Sequence, residues 1–338
     1  MANVYLACEA SERDQPFARK DFERLLSYAR ADEIKRHSVS TDPESADIIA
    51  FIGSVKPNFS DITSSALYKK FKHKSVIYYS ADKSVPILPG IYTCLEDSFG
   101  ARSRKSLLAG YYLRVSENDS LDIEQDIAEA NYLFSFIGNV KNHPVRKEIC
   151  KLESPRAYLK DSSMDAMQQS DGVTGVNKDR GITYRDVMAK SKFVLCPRGI
   201  GVSSWRLFET MRAGRVPVII SDDWIAPLGP KWNEFAIHIK EKDVGSIPAV
   251  LQKNEHRALQ LGALAREQWK YWYSKERVFT TVVDDLLVAK AGHNVEHRLS
   301  RVPTYIKYLH PFYLRYWILS PIKAYLGAWI SKHFAQSR

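Results

Sequence analysis

The sequence predicts an α/β fold built on parallel sheets, and three observations predict it. Near the amino end, short apolar runs at residues 4–8, 46–52 and 75–79 alternate with helical spacing at 17–28 and 66–71. Strand, helix, strand in that order is the pattern of a doubly wound sheet. Residues 191–243 repeat it in compact form: apolar run, glycine-rich turn, helix, glycine, apolar run. The length, 338 residues, exceeds a usual single core, so one or two domains are expected.

The elements follow in order. Residues 4–8 form a first strand, left through an acidic-polar turn at 9–15. Phe17, Phe22, Leu25 and Leu26 recur with helical spacing. The strand at 46–52 is ended by Gly53, and the strand at 75–79 by the segment 79–92, in which Asp82 follows the strand end directly. Leu107, Leu108, Tyr111, Tyr112 and Leu113 close the first domain, and the acidic stretch 118–130 carries the crossover. A second domain opens with a strand at 132–137, ended by Gly138. Residues 161–181 read as a polar loop containing Gly172, Gly175 and Gly181, and 184–188 as a short helix. Further elements are a strand at 235–239 and helices at 247–251, 259–272 and 278–287. Trp269, Trp272 and Tyr273 sit at helical spacing, where aromatics are usually core. The expected division is 1–125, 126–296 and a tail, 297–338.

The turn after residue 196 is where chemistry is expected. Pro197, Gly199 and Gly201 break the chain, Ser203 or Ser204 can cap the helix that follows, and Gly214 ends it. In open α/β sheets ligands sit beyond the carboxyl ends of the strands, and a helix amino end there favours an anion. Arg198 lies in the turn and Arg206 near the helix start. Glu209 follows Arg206 at i,i+3, on the same face. A guanidinium can meet a diphosphate and a carboxylate can accept from a ribose diol. The plainer alternative is an Arg–Glu pair on an ordinary helix surface.

This stretch closely resembles the exostosin-type glycosyltransferase family. The parallels are Ser191-Lys192-Phe193, Cys196-Pro197-Arg198-Gly199, Ser204-x-Arg206, Glu209, and Ala213-Gly214-x-Val216-Pro217-Val218-Ile219-Ile220-Ser221-Asp222. Weaker similarity runs from about residue 46 to about 243, and the ends resemble nothing placed. The resemblance implies a GT-B-like architecture, two Rossmann-like domains facing across a cleft, with a nucleotide-sugar donor such as a UDP-sugar and inversion at the anomeric carbon. It puts Arg206 at the donor diphosphate and Glu209 at the ribose. A family Phe-x-Gly followed by a helix arginine selects Gly138, where backbone can approach the diphosphate, and Arg146, which would neutralise it. Without the resemblance, these two read as an ordinary strand–turn–helix join with a solvated basic patch. With Arg206, Arg146 and the helix end at Ser203 and Ser204 holding phosphate charge, no metal cofactor is expected. Tyr184 resembles the family tyrosine before the motif, and Trp232 and Phe235 match its Trp and Phe, with core roles. Pro227 matches too, but Leu228 stands where the family has phenylalanine, with Gly229-Pro230 added, so contacts in that loop are expected to differ.

Activation of an acceptor hydroxyl needs a base, and Asp82 is the first choice; otherwise it caps a turn. Glu9, Asp14, Glu96 and Asp97 are its rivals. Asp222-Asp223 invites a metal reading, but two adjacent acids do not make a cation site. Net charge is +10, which permits anionic partners, yet no nucleic-acid motif is present and none is expected as partner. Cys8, Cys94, Cys150 and Cys196 have neither metal nor disulfide spacing, no leader is read and no apolar run reaches transmembrane length. A cytoplasmic setting is expected. The tail interleaves aromatics with Arg301, Lys307, Arg315, Lys323 and Lys332, a pattern suited to the inner face of an anionic membrane, to packing on the first domain or to a subunit contact. The expected role is assembly of a bacterial surface polysaccharide, such as lipopolysaccharide, on a lipid-linked saccharide acceptor. A phosphorylase-like or sugar-phosphate-binding protein of similar fold, and a non-catalytic structural protein retaining the fold, are the other two classes.

Overall fold

The computed structural model describes residues 1–9, 16–53, 59–83, 86–97, 104–124, 126–164 and 184–295. The loop expected at 161–181 lies mostly outside them, and the tail expected at 297–338 lies wholly outside them. The first sheet holds β1 (Asn3–Ala7), β2 (Ser38–Val39), β3 (Ile48–Ile52), β4 (Ser75–Tyr79), β5 (Gly90–Tyr92) and β6 (Leu107–Ala109). The second holds β7 (Tyr132–Gly138), β8 (Ala157–Asp161), β9 (Ser191–Pro197), β10 (Val216–Ile220) and β11 (Ile237–His238). Their orders are β2-β1-β3-β4-β5-β6 and β11-β10-β9-β7-β8, with every neighbouring pair parallel. Both are the doubly wound order in which strand direction of travel reverses beside the first strand. The reversal falls between β1 and β3 in one sheet and between β7 and β9 in the other.

Around the sheets run α1 (Pro16–Ala31), α2 (Ser60–Ser64), α3 (Ala66–Phe71), α4 (Pro144–Ile149), α5 (Tyr184–Ala189), α6 (Trp205–Arg212), α7 (Trp232–Phe235), α8 (Ile247–Asn254), α9 (Ala258–Tyr273) and α10 (Val278–Val295). Strands β3, β4 and β10 are buried at every position, as parallel strands covered on both faces must be. The run expected to be one strand at 235–239 is split: α7 ends at Phe235 and β11 pairs only Ile237 and His238 with β10. Trp232 hydrogen-bonds the Pro227 carbonyl through its indole, a fixed packing role that draws the chain into a helical turn first.

The last helix departs from its expected domain. α10 packs on β4, β5 and β6 and on α1, so it completes the first domain, although sequence order puts it with the second. The chain thus crosses between the domains twice, along 113–130 and between α9 and α10. Aromatics fill the junction. Tyr111 after β6 stacks on Tyr273 at the end of α9, with ring centroids 4.3 Å apart, and Phe208 of α6 meets Tyr111 edge-on at 4.9 Å. Arg212, at the other end of α6, is buried and bonds Asp122, Asp119 and the Val115 carbonyl of the first crossover. Helix α6 is therefore fixed at both the aromatic junction and the crossover.

Candidate functional site

The loops that follow β4, β5 and β6 meet those that follow β7 and β9, and the carboxyl ends of both sheets open on a cavity of about 280 Å³. Its walls include Asp82 and Tyr112 from the first domain, and Arg146, Tyr184, Ser203, Ser204, Trp205, Arg206 and Glu209 from the second. The glycine-rich turn is what permits this approach. A Cβ on Gly201 would lie 2.4 Å from Cys94 Sγ and 2.9 Å from the Asp82 carbonyl, so only glycine lets the turn touch the first domain here.

Two arginines converge at the β7/β9 reversal. Arg146 extends from α4, whose start is set by Pro144 and by the His143 ring accepting from the Val145 N–H at 3.3 Å. Its guanidinium is buried and donates to the carbonyls of Arg198 at 2.7 Å and of Asn139 and Pro197 at 3.3 Å. Burial, and then the charge on Arg206, push its pKa down to about 9. Arg206 reaches back from the first turn of α6 and donates to the Ile137 carbonyl through one terminal nitrogen. Its face lies over Phe136, 4.8 Å from the ring centre, while Nε and Nη1 are buried without a hydrogen-bond partner. Arg206 thus brings two unmet guanidinium donors beside a second, fully bonded cation. Gly138 does not line the cavity, but a Cβ there would come within 3.1 Å of Arg206 Nη2 and 2.8 Å of the Phe136 ring. It clears the path of Arg206.

Glu209 shares the Arg206 face, as its spacing requires, and lines the cavity as a half-buried carboxylate rather than a surface partner. It accepts from the Tyr184 hydroxyl at 2.9 Å. Burial raises its pKa, against the pull of that hydrogen bond and of Arg206. Asp82 keeps exposed surface, yet desolvation of its carboxyl against the cavity wall raises its pKa above the ordinary range. The Cys94 thiol, 3.8 Å away, and the charge of Arg146 oppose that rise. Cys94 in turn meets the Tyr112 hydroxyl at 2.9 Å.

Two expectations meet a different arrangement. Arg198 does not line the cavity; its Nη1 turns to Glu241 at 3.6 Å and Asp223 at 3.8 Å, while its backbone carbonyl accepts from Arg146. Ser204 is the N-cap of α6, but neither it nor Ser203 makes a capping bond; Ser203 Oγ is buried with no partner. Asp222 exchanges hydrogen bonds with Glu241, backbone N–H to side chain in both directions. Among the described residues no group of three or more His, Cys, Asp or Glu could hold a metal ion. Of the rivals to Asp82, Glu9, Glu96 and Asp97 do not line the cavity, and Asp14 lies outside the described residues. Sequence reasoning missed Asn142, Tyr112, Ile200 and Trp205, which line the cavity, and Cys94, which meets Asp82 and Tyr112. Asn142 alone carried a signal, four residues after Gly138 in the loop leaving β7.

Paired doubly wound sheets that close on a cleft with their carboxyl edges define an α/β protein of GT-B-like architecture. Residues 102–254 match the family described as the exostosin GT47 domain, a stretch that includes the second sheet's strands and both arginines. An Exostosin-1 homolog of Caenorhabditis elegans is 34% identical over 116 residues, 33% of this chain and 30% of that protein. A probable glucuronosyltransferase of Oryza sativa subsp. japonica is 30% identical over 166 residues, 48% of this chain and 37% of that protein. The chain thus spans well under half the length of these curated relatives. Among solved structures, Anabaena Alr3699/HepE in complex with UDP overlaps 85% of this chain and 100% of its own, at 10% identity and a TM-score of 0.37.

Proposed function

We propose that the protein is an inverting glycosyltransferase that moves a sugar from a nucleoside-diphosphate donor, with UDP as leaving group, to a saccharide hydroxyl. The observation that carries this reading is Arg206 beside Arg146, with two buried guanidinium donors unpaired at the β7/β9 reversal. In the reaction the acceptor oxygen forms a bond to the anomeric carbon while the bond from that carbon to the diphosphate oxygen breaks. The electron pair leaves on the diphosphate, where Arg206, Arg146 and the amino end of α6 meet it. Asp82 takes the acceptor proton, and its raised pKa suits it to hold one. Glu209 receives the ribose diol, oriented by Tyr184. The arginines supply the charge that a divalent cation would otherwise supply. Inversion rests on the resemblance of the 191–222 motif. We extend the proposal to assembly of a bacterial surface polysaccharide on a lipid-linked acceptor.

The test is UDP calorimetry on the full chain, with sugar release from UDP-sugars followed in EDTA. Wild type binds UDP, and R206A weakens it by the worth of a charge-assisted hydrogen bond, about 1.5–3 kcal/mol. Release persists in EDTA. UDP binding unchanged by R206A would remove the donor-site assignment, and loss in EDTA restored by manganese would bring a metal back.

A further inference from the structure

The cavity carries a feature that the donor assignment does not use. Trp205, first residue of α6, lines the cavity mouth and leaves 39% of its surface exposed. Its ring is held in place rather than loose. The Arg114 guanidinium of the first domain lies 3.6 Å from the ring centre, and Tyr112 meets it edge-on at 6.1 Å. A tryptophan with one face covered by a guanidinium cannot swing freely, so its remaining surface is presented to the cavity in a set plane. Beside it Ser203 Oγ is 7% exposed at the residue level and has no hydrogen-bond partner. Asp82 shares the same mouth.

From this we infer a saccharide subsite at the cavity mouth, built from Trp205, Ser203 and Asp82 and distinct from the arginine end. A pyranose has an apolar C–H face and a rim of hydroxyls. An immobilised aromatic ring matches the face, and an unpaired buried hydroxyl with a carboxylate matches the rim. A nucleobase also stacks, but Asp82, the base assigned to the acceptor hydroxyl, lines the same cavity as Trp205, and the ribose falls to Glu209, four residues further along α6. The subsite therefore receives the acceptor sugar, and Arg114 is its positioning residue. This inference rests on the glycosyl-transfer reading.

The test uses full-length wild type, W205A, W205L, W205F and S203A. Saturation-transfer NMR with methyl β-glucoside, methyl β-galactoside and methyl β-glucuronide reads the subsite, and UDP calorimetry reads the donor end. The expected result is saturation of ring C–H protons of at least one glycoside in wild type, a fivefold or greater loss in W205A and W205L, and retention in W205F. S203A loses hydroxyl-dependent binding, and UDP affinity stays within twofold in the three Trp205 variants. W205L keeps bulk without an aromatic face, so it decides the matter if W205A does not melt cooperatively. Wild type that binds UDP but none of the glycosides overturns the subsite alone. Loss of UDP affinity in W205L overturns it in favour of nucleoside stacking, and a wild type that does not bind UDP removes the donor reading beneath it.

Discussion

At the scale of single residues, the site depends on which polar atoms have partners. Arg146 spends its guanidinium on three carbonyls, so it shapes the turn as much as it offers charge. Arg206 keeps two donors unspent. Asp82 adds a third case, a carboxylate tuned by a thiol. The Cys94 hydrogen bond favours the charged form and so lowers the Asp82 pKa, while burial raises it. Removing the thiol must then raise that pKa further. We predict that C94A moves the acid limb of the kcat/KM profile to higher pH, while C94S leaves it near wild type. An unmoved limb in C94A, with transfer intact, would mean that Asp82 is not the titrating base.

At the scale of elements, glycines set what the helices can reach. Gly214 has a φ of 66° and ends α6 in the left-handed conformation, a stop readable from its place after the apolar spacing. Gly138 works differently, since its open side is filled by the Arg206 guanidinium and the Phe136 ring. We predict that the two alanine variants separate. G214A lowers stability by about 1 kcal/mol through backbone strain and leaves UDP affinity near wild type. G138A displaces Arg206 and weakens UDP binding, measured by calorimetry at a temperature where both variants are folded. Equal UDP affinity in G138A and wild type would show that Arg206 does not need that gap.

At the scale of the whole molecule, α10 ties the end of the described chain to the first sheet, and it carries a buried acid. Asp285 borders a small cavity of about 10 Å³ with Tyr273, whose hydroxyl has no partner, and with Tyr78 and Thr281. Burial, and then the neighbouring Asp284, push its pKa up to about 8. The unfolded chain ionises this carboxyl near the ordinary Asp value of about 3.9. Between those values the folded state binds the extra proton, so stability falls as pH rises across that window. We predict that D285N melts higher than wild type at pH 8 and close to it at pH 5. Parallel melting curves across that range would contradict the assignment. No helix among the described residues is long and apolar enough to cross a membrane. For the tail beyond them we propose peripheral attachment, since each cation near an anionic surface contributes about 1 kcal/mol. Co-sedimentation with anionic vesicles should fall with added salt and with removal of residues after Arg301. Binding that ignores salt would point to another mode of contact.

The sequence by itself determined the α/β class, the strands of both sheets' centres, and the turn on which the arginines stand. These are local quantities: apolar runs of strand length, helical spacing, and glycine at the breaks between them. It also placed Arg206 and Glu209 on one helix face, because i,i+3 spacing admits no other arrangement. What touches that face was decided by tertiary structure. Tyr184 reaches Glu209 across 25 positions, Arg146 reaches the Arg198 carbonyl across 52, and Arg212 grips Asp122 across 90. No periodicity records such distances. The same holds for Arg198, whose motif position promised a ligand contact and whose side chain instead faces Asp223 and Glu241. A helix such as α10 shows the reason most plainly: its apolar residues specify that it must be covered, and only the closure of the two domains specifies by which sheet.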